Sequence, residues 1–245
     1  MATCRGVDAD CSRTIFATPV GFDKQVLPDM GEFEIPVDKY YFLLVDECEK
    51  AIQDVGYRGD IYLPVEDFFK FENKAMVSAT PIIPSDPRFE ENGFKVLKLV
   101  PTYDSRIDLT LCTTNNTVAV MRKLLKRLEN ETVFVFLNST ETILNLILAL
   151  KLQGRSKVFC SEKSVRKLKQ MNFTDASETL DELASVNFLT IRFYAAVDIK
   201  LDYKPHVIIL TDVLRAPFSA IDPQTEVVQA IGRFRNGVAR AYHIA

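Results

Sequence analysis

The sequence predicts an α/β protein with mainly parallel sheets, and three observations carry that prediction. Short apolar runs of strand length alternate with longer amphipathic stretches of helix length along most of the chain. Phe42–Leu43–Leu44–Val45 is a continuous apolar run, the pattern of a strand buried on both faces of a parallel sheet. The run stops at two carboxylates, Asp46 and Glu47, and open α/β sheets place their ligands at the carboxyl ends of their strands. The composition is globular, 47% hydrophobic and 26% charged over 245 residues. That length holds one large domain or two of ordinary size.

Bulk properties exclude several classes. A formal net charge of −3 gives no global electrostatic case for nucleic-acid binding, so any such site must be a local basic patch. Five cysteines at irregular spacing include no CxxC pair, which suggests neither a zinc site nor a disulfide framework. A reduced, cytoplasmic protein is the simplest reading. The longest apolar helix candidate, Ile143–Leu150, is far shorter than the ~20 residues a membrane span needs.

In chain order, Met1–Arg13 shows no clear period. Thr14–Thr18 reads as a short strand ended by Pro19. Val20–Pro36, with its glycines and prolines, reads as loop with one helical turn. A strand at Tyr40–Val45 leads into a short helix around Glu47–Val55, stopped by Gly56. Asp60–Glu72 is ambiguous. Lys74–Thr80 is a second apolar strand ending in hydroxyl residues. Ser78 follows Asp46 by 32 positions (78 minus 46), about what two parallel strands and a crossover need. Ser78 and Thr80 then share a sheet edge with Asp46 and Glu47. Ile82–Asn92 looks like a linker, and Phe94–Val100 is a strand candidate opening a second domain.

In that domain, Thr117–Glu129 is an amphipathic helix with Val118, Met121, Leu124, Leu125 and Leu128 near one face. Thr132–Leu137 is a buried strand, and Asn138–Ser139–Thr140 caps a helix running to about Leu152, where Gly154 stops it. Lys157–Cys160 is a strand, Ser161–Met171 a basic helix, Val186–Phe193 and His206–Leu210 further strands, and Glu226–Ile231 opens a last helix. The expected domains are 1–93 and 94–245.

Individual segments admit plain readings. Asp46–Glu47 alone is a solvated acidic turn as readily as a Mg²⁺ site, although an Asp there suits a hard cation and the Glu can orient a water. Ser78 and Thr80 alone are turn formers. In QAIGRFRNG, Gln229–Gly237, Arg233 and Arg235 suit bidentate phosphate contacts, or they offset a helix dipole. TIRFYAAVDI, Thr190–Ile199, is a strand with a polar exit carrying Arg192 and Asp198. The basic residues Lys123, Lys126, Lys157, Lys163, Arg166, Lys167 and Lys169 are helix-surface charge or a nucleic-acid face.

In order and spacing these segments resemble the motor core of superfamily 2 helicases and translocases. VDECEK resembles motif II (Walker B), SATP at Ser78–Pro81 motif III, and VFVFLNST at Val133–Thr140 motif IV. TIRFYAAVDI resembles motif V, QAIGRFR motif VI, and TIFATP at Thr14–Pro19 motif Ia. The resemblance implies two RecA-like domains of the P-loop NTPase type, with ATP between them and nucleic acid across both. By resemblance, Asp46 holds Mg²⁺ and Glu47 positions the attacking water. Gln229, Arg233 and Arg235 serve the γ-phosphoryl, one Arg as an arginine finger. Ser78 and Thr80 couple nucleotide state to domain movement. Thr18 faces nucleic acid, and Asn138, Ser139, Thr190, Arg192 and Asp198 face nucleic acid or the interdomain cleft, with DNA expected ahead of RNA and contacts mainly to phosphates.

The chain departs from the family at two places. No GxxxxGK[ST] occurs, so the first domain is expected to be truncated and to lack its phosphate loop. Ala195 and Ala196 stand where the family usually has a glycine before Val-Asp. Two functions follow: an ATP-dependent helicase or translocase core without its P-loop, or an ATPase-inactive relative that binds nucleic acid or protein.

Overall fold

The computed structural model describes residues 14–50, 63–83, 85–102, 106–195 and 197–245. The chain forms two compact units, Met1–Leu99 and Val100–Ala245.

The first unit begins with helix, not with the expected strand at Thr14–Thr18. Thr18 accepts a hydrogen bond from the Gly21 amide on its hydroxyl (3.1 Å) and so caps α1, Pro19–Gly21. The helical path continues through a π-helical segment, Phe22–Val26, into α2, Leu27–Glu32. A proline at the first turn costs no hydrogen bond there, and Val26 and Met30 bury their side chains. Reading these prolines and glycines as loop signals misses that helix. A short helix α3, Val37–Tyr40, precedes β1, Phe42–Asp46.

β1 pairs in parallel with β2, Asn73–Val77, in the register Asp46↔Val77. The parallel pairing expected from the spacing is therefore present. Burial on both faces is not: Phe42 and Leu44 are exposed and alternate with half-buried neighbours. Among the described residues the sheet of this unit has two strands, so one face has no covering layer. The expected helix at Glu47–Val55 falls largely on residues 51–62, outside the described residues, and 47–49 form a turn. Helix α4, Leu63–Phe68, resolves the ambiguous aromatic stretch, and α5, Pro87–Glu91, lies inside the expected linker. Phe68, Phe69, Phe89 and Phe94 pack ring against ring at 5.0 to 6.3 Å. The Arg88 guanidinium lies 4.5 Å from the Phe69 ring centre and bonds Asp86 and Glu66. Phe94–Val100 is not a strand; Phe94 is spent on the aromatic group, and the apolar residues after it are exposed.

Among the described residues the second unit is built on a seven-stranded, all-parallel sheet. Its strands are β3 (Leu109–Cys112), β4 (Val133–Phe136), β5 (Ser156–Phe159), β6 (Ala176–Ser177), β7 (Val186–Leu189), β8 (His206–Leu210) and β9 (Arg240–Ile244). Their order is β3-β9-β8-β4-β7-β5-β6, with every neighbouring pair parallel. Helices α6 (Thr117–Arg127), α7 (Thr140–Leu150) and α8 (Glu162–Gln170) cover one face. That layer buries Met121, Leu124, Ile143, Ile147 and Leu168 against Val133, Val135, Phe188 and Ile208. On the opposite face, α9 (Arg192–Ala195) and α10 (Glu226–Gly232) enclose Phe134, Phe136, Phe159, Tyr194, Ile209 and Phe234. β4 is buried along its whole length, as a strand covered on both sides must be.

The caps follow sequence chemistry. Asn116 Oδ1 accepts from the Ala119 amide at the start of α6, and Ser139 Oγ accepts from the Thr142 amide at the start of α7. Helix α7 ends at Leu150, and Lys151 takes the left-handed conformation expected of a glycine (φ 57°). Gly154 (φ 70°) comes only in the following turn. The strand expected over Val186–Phe193 stops at Leu189. Phe193 and Tyr194 are both buried, a pair of adjacent buried positions that fits the helical turn α9 rather than an alternating strand.

Candidate functional site

The acidic site of the first unit is built by β1 and β2. Register pairing of Asp46 with Val77 sets Ser78 beside Glu47, and the Cys48 amide donates to the Val77 carbonyl (3.3 Å). The turn after Asp46 is tight. Glu47 sits at φ 52°, a left-handed conformation that disfavours any residue with a Cβ. Its amide donates to Asp46 Oδ1 at 2.9 Å. Burial raises the pKa of Cys48, helped by the charges of Glu49, Asp46 and Glu47. Ser78 Oγ accepts from the Thr80 amide (2.9 Å), and Thr80 is buried. The two residues form one local turn at the carboxyl edge.

Among the described residues no three His, Cys, Asp or Glu side chains cluster as a metal cage. One exposed Asp at a strand end fits the other kind of site, Mg²⁺ that keeps several waters and takes one or two protein carboxylates. The sequence holds no GxxxxGK[ST] cradle, so this acidic edge offers a carboxylate for a hard cation and no glycine-rich loop for phosphates.

The second site lies at the carboxyl edge of the seven-stranded sheet. The Asn138 Nδ2 amide, just past β4, donates to the Phe218 carbonyl (3.1 Å). Ser139 is the N-cap of α7 and also donates its hydroxyl proton to Thr142 Oγ1 (2.9 Å). Thr190, just past β7, is buried. Its hydroxyl donates to the Phe159 carbonyl (3.3 Å), turning it toward the protein. Arg192 is half exposed, 3.8 Å from Glu178, at the first position of α9.

Asp198 and Arg235 meet across 37 residues. Ile199 forms a parallel bridge with Phe234: the Ile199 amide donates to the Arg233 carbonyl and the Arg235 amide to the Ile199 carbonyl. That bridge sets the two side chains abreast, and Arg235 Nε donates to Asp198 Oδ1 at 2.9 Å. The hydrogen bond from Arg235 holds the Asp198 carboxyl below its ordinary value. Arg235 also donates to the Gly232 carbonyl (3.3 Å), while Arg233 Nε donates to the Gln229 carbonyl (3.1 Å). Gln229 is buried on α10. Thr18 lies in the first unit as the cap of α1. Within the second unit, then, the structure joins Asp198 with the Gln229–Arg233–Arg235 group, and seats Asn138 and Ser139 together at the head of α7. Sequence reasoning missed the Asn138–Phe218 contact, whose only sequence signal is an aromatic in the loop after β8.

No family model and no curated protein matches the sequence. Among solved structures, the chain is similar to S. cerevisiae Dbp5 bound to RNA and ADP BeF3, with a TM-score of 0.52 at 13% identity. The similarity covers 89% of this chain and 56% of that one, so the chain spans a little over half of its length. A point variant of the same yeast protein, also with RNA and ADP BeF3, gives a TM-score of 0.49 at 12% identity, with the same coverage. At 13% identity the likeness speaks to fold alone. The chain has an α/β fold of mainly parallel sheets, similar to that of this Dbp5 structure.

Proposed function

We propose that this chain is a nucleic-acid-binding core of the superfamily 2 helicase or translocase type. Its single-stranded ligand runs along the carboxyl edge of the seven-stranded sheet. The observation that supports the proposal most is the Asp198–Arg235 pair on the Ile199–Phe234 bridge, which precedes β8 and β9 in the chain. It couples the two segments that resemble motifs V and VI, one read as facing nucleic acid and the other as facing a nucleoside triphosphate. Asn138, Ser139 and Arg192 line the track, mainly toward backbone phosphates. Thr190, bonded inward to the Phe159 carbonyl, fixes the exit of β7 from which Arg192 follows.

In the same reading, Asp46 is the carboxylate for Mg²⁺ and Glu47 orients a water. Ser78 and Thr80 form the turn that registers movement of the acidic edge. Arg233 and Arg235 contact the triphosphate. The bound Mg²⁺–nucleotide would supply the energy of directional movement. Because the phosphate cradle is not among these residues, hydrolysis belongs to this chain together with a P-loop segment, and binding to the chain itself. The solved structure of similar fold is bound to RNA, which makes RNA the first ligand to test, ahead of the DNA favoured by sequence reasoning.

The test is binding of labelled single-stranded RNA and DNA across a salt series, with ATP turnover measured alongside for the wild type and Glu47→Gln. The reading expects binding that weakens steeply with salt. It expects no turnover without an added P-loop, or turnover abolished by Glu47→Gln. Absence of binding to either nucleic acid at low salt overturns it.

A further inference from the structure

The loop after β8 displays apolar side chains in a way its own packing does not explain. Phe218 is 81% exposed and Leu214 94% exposed, with Val213 beside them. An apolar group on a mobile loop can fold back onto the surface, but this loop is pinned. Its short 3₁₀ turn, Pro217–Ser219, is held from three directions. Asn138 Nδ2 donates to the Phe218 carbonyl (3.1 Å), Thr211 Oγ1 to the Ser219 carbonyl (3.2 Å), and Ser219 Oγ accepts from the Asp212 amide (2.7 Å). Thr211 in turn bonds His243 Nε2 (3.0 Å), so the ends of β4, β8 and β9 all share in holding the turn. Ala216 and Ser219 are buried on either side of Pro217 and Phe218. The main chain is fixed and the ring is held out in water.

Resting on the function proposed above, we infer that Phe218 is a stacking platform for one unpaired base of the single-stranded ligand. The nearby Arg215 guanidinium, largely exposed and 3.6 Å from Asp212, is placed to meet the adjoining phosphate. An aromatic face with a cation beside it is the pairing that single-strand binders use, because every base has a π-face and every linkage a charge. The Asn138 amide joins this platform to the segment already read as lining the track. The platform thus extends that track on the β8 side of β4.

The chain contains no tryptophan, which makes Phe218→Trp the sole tryptophan, excited selectively over the tyrosines, at the position in question. The experiment titrates oligouridylate and oligothymidylate into the wild type, Phe218→Ala and Phe218→Trp, following anisotropy of the labelled oligonucleotide and emission of the tryptophan. Circular dichroism of each variant checks the fold. The inference expects Phe218→Ala to weaken binding roughly tenfold or more, with the slope against salt unchanged because stacking releases no counterions. Arg215→Ala lowers that slope instead. Phe218→Trp binds at least as tightly as wild type and is quenched on saturation. Wild-type binding that survives Phe218→Ala intact, with Phe218→Trp emission unmoved, overturns the platform and leaves the proposed function standing; the apolar ledge then belongs to a protein contact. Failure of the wild type to bind either oligonucleotide overturns both.

Discussion

The hydrogen bond from Arg235 depresses the Asp198 pKa. A depressed carboxylate stabilises the fold above its unfolded pKa, near 4, and loses that contribution as pH falls through the lower folded value. Asp198→Asn should therefore remove a small acid-side drop in the urea midpoint below about pH 4 and leave the neutral midpoint almost unchanged, since the pair is half exposed. Glu47 bears a different cost. A left-handed φ of 52° strains a residue with a Cβ, and Glu47→Gly should raise stability by up to about 1 kcal/mol in denaturant unfolding. A loss of stability would show that the Glu47 side-chain contacts outweigh the backbone strain. Cys160 is fully buried at the end of β5, and burial pushes its thiol up to about 11 against the nearby Arg192 charge. Alkylation followed by peptide mapping should find Cys160 unmodified in the native protein and modified once urea unfolds it.

Helix α7 and the exit of β7 illustrate the element scale. Ser139 caps α7 with one side-chain acceptor, and the helix buries Ile143, Leu144, Leu146 and Ile147. Ser139→Ala should cost about 1 kcal/mol, a fall of about 3 °C in the midpoint of thermal unfolding. Ser139→Asp should keep the cap, so a nucleic-acid defect shared by both variants would separate a ligand role from capping. At β7 the strand gives way to α9 because Phe193 and Tyr194 pack inward together, Tyr194 against Phe136 at 5.2 Å between ring centres. Gly237 matters for a similar local reason. Its φ of 79° turns the chain into β9, and a residue with a Cβ there is strained.

At the scale of the molecule, the two units are built to different standards. Both apolar layers of the seven-stranded sheet consist of residues from the second unit. Residues 100–245 expressed alone should therefore unfold in one cooperative transition by circular dichroism. The first unit has two described strands with Phe42 and Leu44 exposed on one face, below the three or more strands that give a sheet independent stability. Residues 1–99 alone should show a broad transition without a defined midpoint. A sharp melt for that piece would mean that its Phe68–Phe69–Phe89–Phe94 group suffices as a core.

The alternation of strand and helix, the cap at the head of α7, the parallel pairing behind Asp46 and Ser78, and the α/β class were all set by the sequence alone. Each depends on local chemistry or chain length, and both are written in neighbouring residues. Sequence reading misplaced what depends on company. The run at Phe42–Val45 reads as doubly buried, yet burial is decided by which layers cover a sheet. Thr14–Thr18 and Phe94–Val100 have strand composition but pair with no strand among the described residues. β3 and β9 were missed, β9 because a strand of mixed polarity is recognised only by its neighbours β8 and β3. The same holds at the site. Asp198 and Arg235 were legible separately as an acid and a cation, but their contact spans 37 residues and exists because one backbone bridge aligns two segments. Only the tertiary structure shows Thr190 turned inward and Phe218 turned outward, since a hydroxyl and a ring look alike in sequence whether the fold buries them or holds them in water.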